Sequence, residues 1–231
     1  MPREDMPHQN GASHPNGKIA AFVAVLSTAL FVALTALVVG QRTDTLDRSL
    51  ILALRTSATP WLTALYLGVT YTSGRLAIPA VVGFAFVLYR RRGVRPMLYY
   101  LGACATAQLL NAIVKHEVGR VRPHGISPRL TAAGGFGYPS ADAMLAVVIF
   151  GLSAVMLRNT LRARAARGAT LGAAAMFIVL AAVARVYLGA HWPTDVLGGE
   201  LAGTACAAFW LLAFWRSPAS RKPADPLGAA A

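Results

Sequence analysis

Six long apolar runs, separated by short polar segments, dominate this sequence and leave few folds open to it. An α-helix needs about 20 mainly apolar residues to cross the hydrocarbon core of a bilayer. The runs cover residues 19–40, 61–89, 97–114, 143–157, 170–188 and 196–215, and the second is interrupted at 72–75. The pattern predicts an all-α fold, a bundle of six transmembrane helices.

The composition agrees with a membrane protein. Of the 231 residues, 56% are hydrophobic and 13% are charged, and that charged share is about half of what soluble domains carry. The net charge of +13 is also typical of nucleic-acid binding, but the basic residues lie scattered between apolar runs. The sequence therefore favours a lipid bilayer, and no nucleic acid, as partner. Cys104 and Cys206 lie inside apolar runs, which favours small buried side chains over a disulfide or a metal pair.

One membrane domain is predicted over residues 18–216. Residues 1–17 and 217–231 are polar or rich in Gly and Pro, and both segments are predicted to be disordered. The first apolar run is too long for a signal-peptide core and lacks a cleavage site, so we expect a retained helix. Charges and leucines alternate over residues 45–57, which predicts an amphipathic surface helix between the first two spans.

Clusters of arginine predict the orientation. Six spans place both termini on one side of the membrane, and the clusters at 90–95, 158–167 and 216–222 fall on that same side. The positive-inside rule makes this side cytoplasmic. The Ala- and Arg-rich composition is typical of a bacterial protein, so we expect the cytoplasmic (inner) membrane of a bacterium. The remaining polar chemistry then faces outside.

Three segments on that outer face hold ionisable residues at membrane depth, where such residues are costly and usually functional. They are KHEVGRVRP with Lys115 and Arg122, YPSAD with Ser140 and Asp142, and ARVYLGAHWPTD with Arg185, His191 and Asp195. Three cations at one depth repel each other unless an anion lies among them, and phosphate suits Arg and Lys. Taken singly, Lys115 and Arg122 are equally typical of interfacial anchors. Arg120 is interpreted as a loop residue.

His191 precedes Asp195 by four residues where the sixth span begins. That spacing can place an imidazole beside a carboxylate. The carboxylate then fixes the tautomer and raises the basicity of the other ring nitrogen, as in a histidine that acts as nucleophile or base. A helix-capping pair has the same spacing, so the pair alone leaves both interpretations open.

Together, the three segments resemble the signature of the type-2 phosphatidic acid phosphatase superfamily, which includes vanadium haloperoxidases. That signature is Lys, six residues, Arg-Pro; then Pro-Ser-Gly-His; then Ser-Arg, five residues, His, three residues, Asp. Lys115 and Arg122 keep the first spacing, and Arg185, His191 and Asp195 keep the third. The resemblance covers residues 47–203.

The resemblance implies a lipid phosphatase that needs no metal or other cofactor. It implies that the phosphate is bound by Lys115, Arg122, Ser140 and Arg185. His191, oriented by Asp195, would attack phosphorus and form a phosphohistidine, which water then hydrolyses.

The second and third segments depart from the signature. The second reads PSAD, so Asp142 stands where the family carries its general acid, and Ala184 replaces a serine in the third. A free aspartate ionises near pH 4 and a free histidine near pH 6.5, so an aspartate is a poor proton donor at neutral pH. Three alternatives stay open: Asp142 is a partly protonated acid, His124 or His116 transfers the proton, or little acid help is needed. A fourth is that Asp142 only caps the fourth span.

The third alternative predicts a substrate. A phosphate monoester has a second pKa of about 6, so a lipid monophosphate leaves a diphosphate largely unaided, whereas an alkoxide needs a proton. The sequence therefore favours a polyprenyl diphosphate hydrolysed on the outer face. The alternatives are a phosphatidic acid or phosphatidylglycerophosphate phosphatase, a lipid phosphotransferase, and a catalytically silent lipid-binding relative.

Overall fold

The computed structural model describes residues 15–126, 130–131, 134–158 and 161–217, and the regular secondary structure in these ranges is helical throughout. The prediction of an all-α fold is thus confirmed. The helices are α1 (Pro15–Val39), α2 (Asp44–Thr56), α3 (Pro60–Gly74), α4 (Ala77–Arg92), α5 (Val94–Val118), α6 (Ala141–Ala146), α7 (Leu152–Arg158), α8 (Arg164–Tyr187) and α9 (Pro193–Arg216). A π-helical turn, Val147–Gly151, joins α6 to α7. Of the segments predicted to be disordered, 1–14 and 218–231 lie outside the described residues.

Five helical segments of the described chain are long and apolar enough to cross a membrane. They are Gly17–Val39, Val94–Val118, Ala141–Arg158, Arg164–Tyr187 and Pro193–Arg216. Helices α3 and α4 pass the same test only as a pair, and the pair is bent by 51°. The bend follows the polar interruption at 72–75, so the second apolar run is two helices. The described residues thus offer five or six candidate spans, and six stays a prediction.

Helix α9 is the centre of the bundle, where it packs against α1, α5 and α6. Its contact with α6 depends on glycine, because a Cβ on Gly199 would lie 2.4 Å from the carbonyl oxygen of Ser140. A Cβ on Gly203 would likewise lie 2.6 Å from the carbonyl oxygen of Met144. Both distances are shorter than real Cβ contacts, so a larger residue would push the two helices apart. The glycines therefore place the start of α6 beside the start of α9.

Helix α2 lies where the amphipathic helix was predicted, and it contacts α8 and α9. Its inner face includes Ile51 and, unexpectedly for a charged side chain, Asp47, both fully buried. Leu46, Leu50 and Leu52 are exposed. Leu46 and Leu50, one turn apart, share one exposed side, which suits a helix at a membrane surface, and that placement stays a prediction.

The two cysteines lie in the bundle core, in α5 and α9. Cys104 and Cys206 are buried and are not joined by a disulfide. Their interpretation as small buried side chains agrees with this position.

Candidate active site

The structure brings the seven predicted site residues to one end of the bundle. Lys115 is in the last turn of α5, and Arg122 follows that helix. Ser140 and Asp142 begin α6, and Arg185 is in the last turn of α8. His191 lies just before α9, and Asp195 lies in its first turn. Two helix C-termini and two helix N-termini thus meet at this end. All of these residues except Lys115 and Asp142 are buried.

Asp195 and His191 face each other as the sequence spacing predicts. His191 Nδ1 lies 3.5 Å from Asp195 Oδ2, and both side chains are almost fully buried. The first turn of α9, which begins at Pro193, fixes the carboxylate because the backbone N–H of Trp192 donates to the same Oδ2 at 3.0 Å. The separation of 3.5 Å exceeds an ordinary N–H···O hydrogen bond, and such contacts often shorten when substrate binds.

Arg122 determines the tautomer of His191. Its Nη1 lies 2.9 Å from His191 Nε2 and donates to the carbonyl oxygen of Ala190 at 2.7 Å. Because a guanidinium has donors and no acceptor, Nε2 must be the acceptor and must lack a proton. The proton of the neutral ring is then on Nδ1, which faces Asp195. The side chain of Arg122 is held in place by Nε, which donates to the carbonyl oxygens of Gly134 and Gly135.

The surroundings of His191 keep its ring neutral. Burial lowers the pKa of His191 below its ordinary value, and the positive charges of Arg122 and Lys115 lower it further. Asp195 acts in the opposite direction without reversing the shift. At neutral pH the ring therefore presents an unprotonated Nε2, which is the state that a nucleophile needs.

Asp142 is paired with Arg185 rather than with the histidine. Asp142 Oδ2 lies 3.0 Å from Arg185 Nη1, and Ser73 Oγ accepts from Arg185 Nη2 at 3.0 Å. Both amino groups of Arg185 are therefore occupied, while its buried Nε has no hydrogen-bond partner among the described residues. Ser73 belongs to the polar interruption of the second apolar run, which the sequence interpretation treated only as a break.

The helix cap of α6 is Ser140, not Asp142. Ser140 Oγ accepts from the backbone N–H of Ala143 at 3.4 Å, so the capping interpretation of Asp142 is wrong. The backbone N–H of Ser140 donates to the carbonyl oxygen of Asp195 at 2.9 Å. From α5, Asn111 Nδ2 donates to the carbonyl oxygen of Pro139 at 3.1 Å. The YPSAD segment is thus fixed against both α9 and α5.

The remaining predicted groups lie around this cluster. Lys115 Nζ donates to the carbonyl oxygen of Phe136 at 3.3 Å. His116 is exposed, with its ring edge-on to Phe136, and His124 Nδ1 lies against the carbonyl oxygen of Arg122. Across the described ranges, His, Cys, Asp and Glu side chains do not come together in groups of three that could bind a metal ion.

Sequence reasoning missed Arg120. It does lie in the loop after α5, but its guanidinium is largely buried and paired with three carboxylates. Asp195 Oδ1 lies 2.9 Å from Nη1, and Asp47 Oδ2 and Asp44 Oδ1 lie 2.7 and 3.1 Å from Nη2. The available signal was Asp47, a charge at a position that α2 buries beside leucines, since a buried carboxylate requires a cation.

A protein-family model matches the part of the chain that carries most of this site. The PAP2 superfamily model matches residues 96–219, which include Lys115, Arg122, Ser140, Arg185, His191 and Asp195. The chain belongs to the PAP2 superfamily. This confirms the family predicted from the three segments, and with it the enzyme class: the protein is a multi-pass membrane phosphatase that acts on phosphoric esters.

Two relatives from Bacillus subtilis support the assignment. Phosphatidylglycerophosphatase B of strain 168 is 32% identical over 146 residues, covering 61% of this chain and 69% of that protein. The crystal structure of a transmembrane PAP2 type phosphatidylglycerolphosphate phosphatase matches with a TM-score of 0.74 and 27% identity, covering 83% of this chain and 94% of that one. The crystal structure of Aquifex aeolicus LpxE has a TM-score of 0.57 at 20% identity, over 71% and 93% of the two chains, and shows the shared fold.

Proposed function

We propose that this PAP2 protein hydrolyses a membrane lipid phosphate through a phosphohistidine formed on Nε2 of His191. The observation that supports this most strongly is the direction of the imidazole ring. Nδ1 faces Asp195 at 3.5 Å, and Nε2 accepts from Arg122 at 2.9 Å. The unprotonated nitrogen therefore lies beside the cation that would bind the phosphate.

The first chemical step is an in-line displacement at phosphorus. The Nε2 electron pair forms the P–N bond while the P–O bond to the leaving group breaks and its electrons go to that oxygen. Asp195 stabilises the imidazolium character that develops on the ring. Lys115, Arg122 and Arg185 stabilise the phosphoryl oxygens, and each such donor is typically worth about 10² to 10³ in rate. Water then attacks phosphorus, and the P–N bond breaks to release phosphate.

Phosphatidylglycerophosphate is the first candidate substrate. The curated relative that is 32% identical is named for action on this class of lipid, and so is the solved structure that covers most of this chain. The alkoxide that leaves from this monoester must take up a proton. On this substrate Asp142 or a nearby histidine would have to supply that proton.

A polyprenyl diphosphate is the second candidate, and Asp142 favours it. A carboxylate oxygen that lies 3.0 Å from a guanidinium nitrogen is placed to accept hydrogen bonds rather than to donate them. A lipid monophosphate leaves a diphosphate with little help from an acid. The leaving group of a diphosphate therefore suits a site that has aspartate in place of histidine.

We further propose that the site faces outside the cytoplasmic membrane of a bacterium, with both termini and the basic helix ends in the cytoplasm. One group of basic residues lies at the helix ends away from the site. They are Arg90, Arg91 and Arg92 at the end of α4, Arg158 at the end of α7, Arg164 at the start of α8 and Arg216 at the end of α9. The positive-inside rule supports this orientation.

The test uses the full chain purified into lipid nanodiscs. Phosphate release is measured with phosphatidylglycerophosphate, a polyprenyl diphosphate and phosphatidic acid, for the unchanged protein, for His191→Gln and for the control His116→Gln. We expect His191→Gln to be inactive and His116→Gln to be active. With ³²P-labelled substrate, rapid quenching should trap an acid-labile, base-stable phosphoprotein that His191→Gln lacks. Full activity of His191→Gln would contradict the proposal.

A further inference from the structure

We infer that Arg120 is a positioning residue for the reaction: it holds the carboxylate of Asp195 so that one oxygen is kept for His191, and it joins that carboxylate to helix α2. The inference deepens the proposed function, since it takes His191 as the nucleophile. Arg120 lies among the six residues between Lys115 and Arg122 that the signature leaves unspecified.

The guanidinium of Arg120 joins segments that are far apart in the chain. Nη1 donates to Thr194 Oγ1 at 2.7 Å and to Asp195 Oδ1 at 2.9 Å, both in the first turn of α9. Nη2 donates to Asp47 Oδ2 at 2.7 Å, in α2. The plane of the group lies over the ring of Trp192, with Cζ 5.5 Å from the centroid. A lysine has one amino group and could not make these contacts together.

These contacts leave the carboxylate of Asp195 one orientation. Oδ1 is taken by Arg120, and Oδ2 accepts from the backbone N–H of Trp192 and faces His191 Nδ1. The backbone of Gly137 closes the remaining side, since a Cβ there would lie 2.6 Å from Oδ2. Without Arg120, Asp195 Oδ1 would remain a fully buried, negatively charged oxygen and would lose this hydrogen-bond donor. The carboxylate would then be free to turn away from the histidine.

Arg120 also weakens the effect of the negative charge of Asp195 on His191. Burial alone would lower the pKa of Arg120, but Asp195 and Asp47 outweigh it and raise that pKa, so the guanidinium is charged. A positive charge on one oxygen of Asp195 weakens the attraction of that carboxylate for a proton on the imidazole. Arg120 therefore helps to keep His191 neutral.

Helix α2 completes the arrangement through Asp47. Besides pairing with Arg120, Asp47 accepts from the backbone N–H of Thr194 at 2.9 Å and from Thr194 Oγ1 at 2.6 Å. The first turn of α9, which carries Asp195, is thus bonded to α2 directly and through Arg120. A helix outside the matched family region, residues 96–219, in this way contributes to the geometry of the nucleophile.

Charged and titratable groups surround His191 and Asp195. They are Asp44 and Asp47 of α2, Lys115 of α5, Arg120, Arg122 and Tyr138 of the segment between α5 and α6, Asp142 of α6 and Arg185 of α8. A single substitution at Arg120 leaves the other charges in place. Any change in the titration of His191 can then be assigned to it.

The test measures kcat and KM against pH for Arg120→Gln, Arg120→Lys and Asp47→Asn in nanodiscs. We expect Arg120→Gln to lose about tenfold or more in kcat with KM nearly unchanged, and the acid limb of kcat/KM to move to higher pH. Arg120→Lys should return the limb to its original pH without restoring all of kcat. Asp47→Asn removes a negative charge, so its limb should move to lower pH.

Arg48→Gln is the matched control, because Arg48 also lies over the Trp192 ring, at 6.0 Å, from the same helix as Asp47. It should leave kcat and the pH profile unchanged. An unmoved acid limb in Arg120→Gln, or an equal change in Arg48→Gln, would overturn the inference. If Arg120→Gln fails to fold, the other two variants test the inference. The acid limb of kcat/KM should move to lower pH in Asp47→Asn and stay in place in Arg120→Lys, and any other result would overturn the inference.

A second measurement separates this inference from the proposed function. The His191 ring is titrated by NMR in ¹⁵N-histidine-labelled protein, with His191→Gln identifying the signal. A higher titration midpoint in Arg120→Gln supports the role of Arg120 whatever the reaction is. An unchanged midpoint refutes the charge effect of Arg120. Activity that survives in His191→Gln refutes the nucleophile instead.

Discussion

The two halves of the active site are built differently. In the nucleophile half, which comprises Arg120, Arg122, His191 and Asp195, the side chains are buried or nearly so and each contacts another member of the half. In the Asp142 half, which comprises Asp142, Arg185 and Ser73, the carboxylate side chain is 32% exposed, and Arg185 Nε lacks a partner in the described chain. The first half is closed to solvent before substrate arrives, although His191 Nδ1 has no ordinary hydrogen bond among the described residues, while the second is more open. Reactivity should therefore depend on the first half and substrate choice on the second.

The strongest challenge to this division is Asp195→Asn. An amide cannot accept the Nδ1 proton and stabilise the charged ring as a carboxylate does, and it can favour the wrong tautomer. By comparison with the Ser-His-Asp triad, kcat should fall by roughly 10³ to 10⁴ on every substrate alike, measured by phosphate release. A loss that depended strongly on the substrate would mean that this half also selects the lipid.

Gly199→Ala breaks the contact that joins the two halves. The added Cβ would meet the carbonyl oxygen of Ser140 at 2.4 Å, so α6 must move away from α9. Overpacking of this kind costs about 1 to 3 kcal/mol, and a shift of about 1 Å in a site can cost about 10² in rate. The temperature of thermal unfolding and kcat should both decrease. The control Gly172→Ala in α8, where a Cβ meets nothing within 4 Å, should lower neither, since Ala favours a helix more than Gly does.

Asp142→His tests the assignment of substrate choice to the Asp142 half. A histidine here restores a proton donor that titrates near neutral pH, and general acids contribute about 10² to 10⁴ when well placed. We expect the ratio of the rate on phosphatidylglycerophosphate to the rate on a polyprenyl diphosphate to rise by about tenfold. Asp142→Asn, which offers no such acid, should leave the ratio unchanged. A ratio that stays constant in Asp142→His would show that proton donation does not separate these substrates.

The smallest expected effect concerns the pH at which kcat/KM falls on the acid side. Because burial lowers the pKa of His191, the ring is protonated only below the ordinary histidine pKa of about 6.5. The acid limb of kcat/KM should therefore lie below pH 6.5. A limb due to the substrate phosphate moves when the substrate is changed, whereas the limb of His191 does not. A substrate-independent limb at or above pH 6.5 would contradict the neutral, buried ring.

Local patterns predicted the pairing of His191 with Asp195 better than the rest of the site. His191 and Asp195 are four residues apart at the start of a helix, and helix geometry alone brings them together. Arg120 and Asp47 are 73 residues apart, and Arg185 and Ser73 are 112 apart. Nothing in the sequence between such residues indicates that packing brings them together. Their pairing needs the three-dimensional arrangement of α2, α3, α8 and α9.

The helices show the same limit. Apolar runs predicted the long helices, because length and hydropathy decide whether a segment suits a bilayer. The same runs did not show that residues 61–89 divide into α3 and α4 with a 51° bend. That bend follows Ser73, whose bond to Arg185 is a tertiary contact.

The hydrogen bond from Arg122 to His191 Nε2 has a consequence for the enzyme at rest. In the proposed mechanism, the electron pair that attacks phosphorus is the one that this guanidinium occupies at 2.9 Å. Arg122 would then cover His191 from other electrophiles at the membrane until a phosphate draws the guanidinium away. The substrate itself would expose the atom that attacks it.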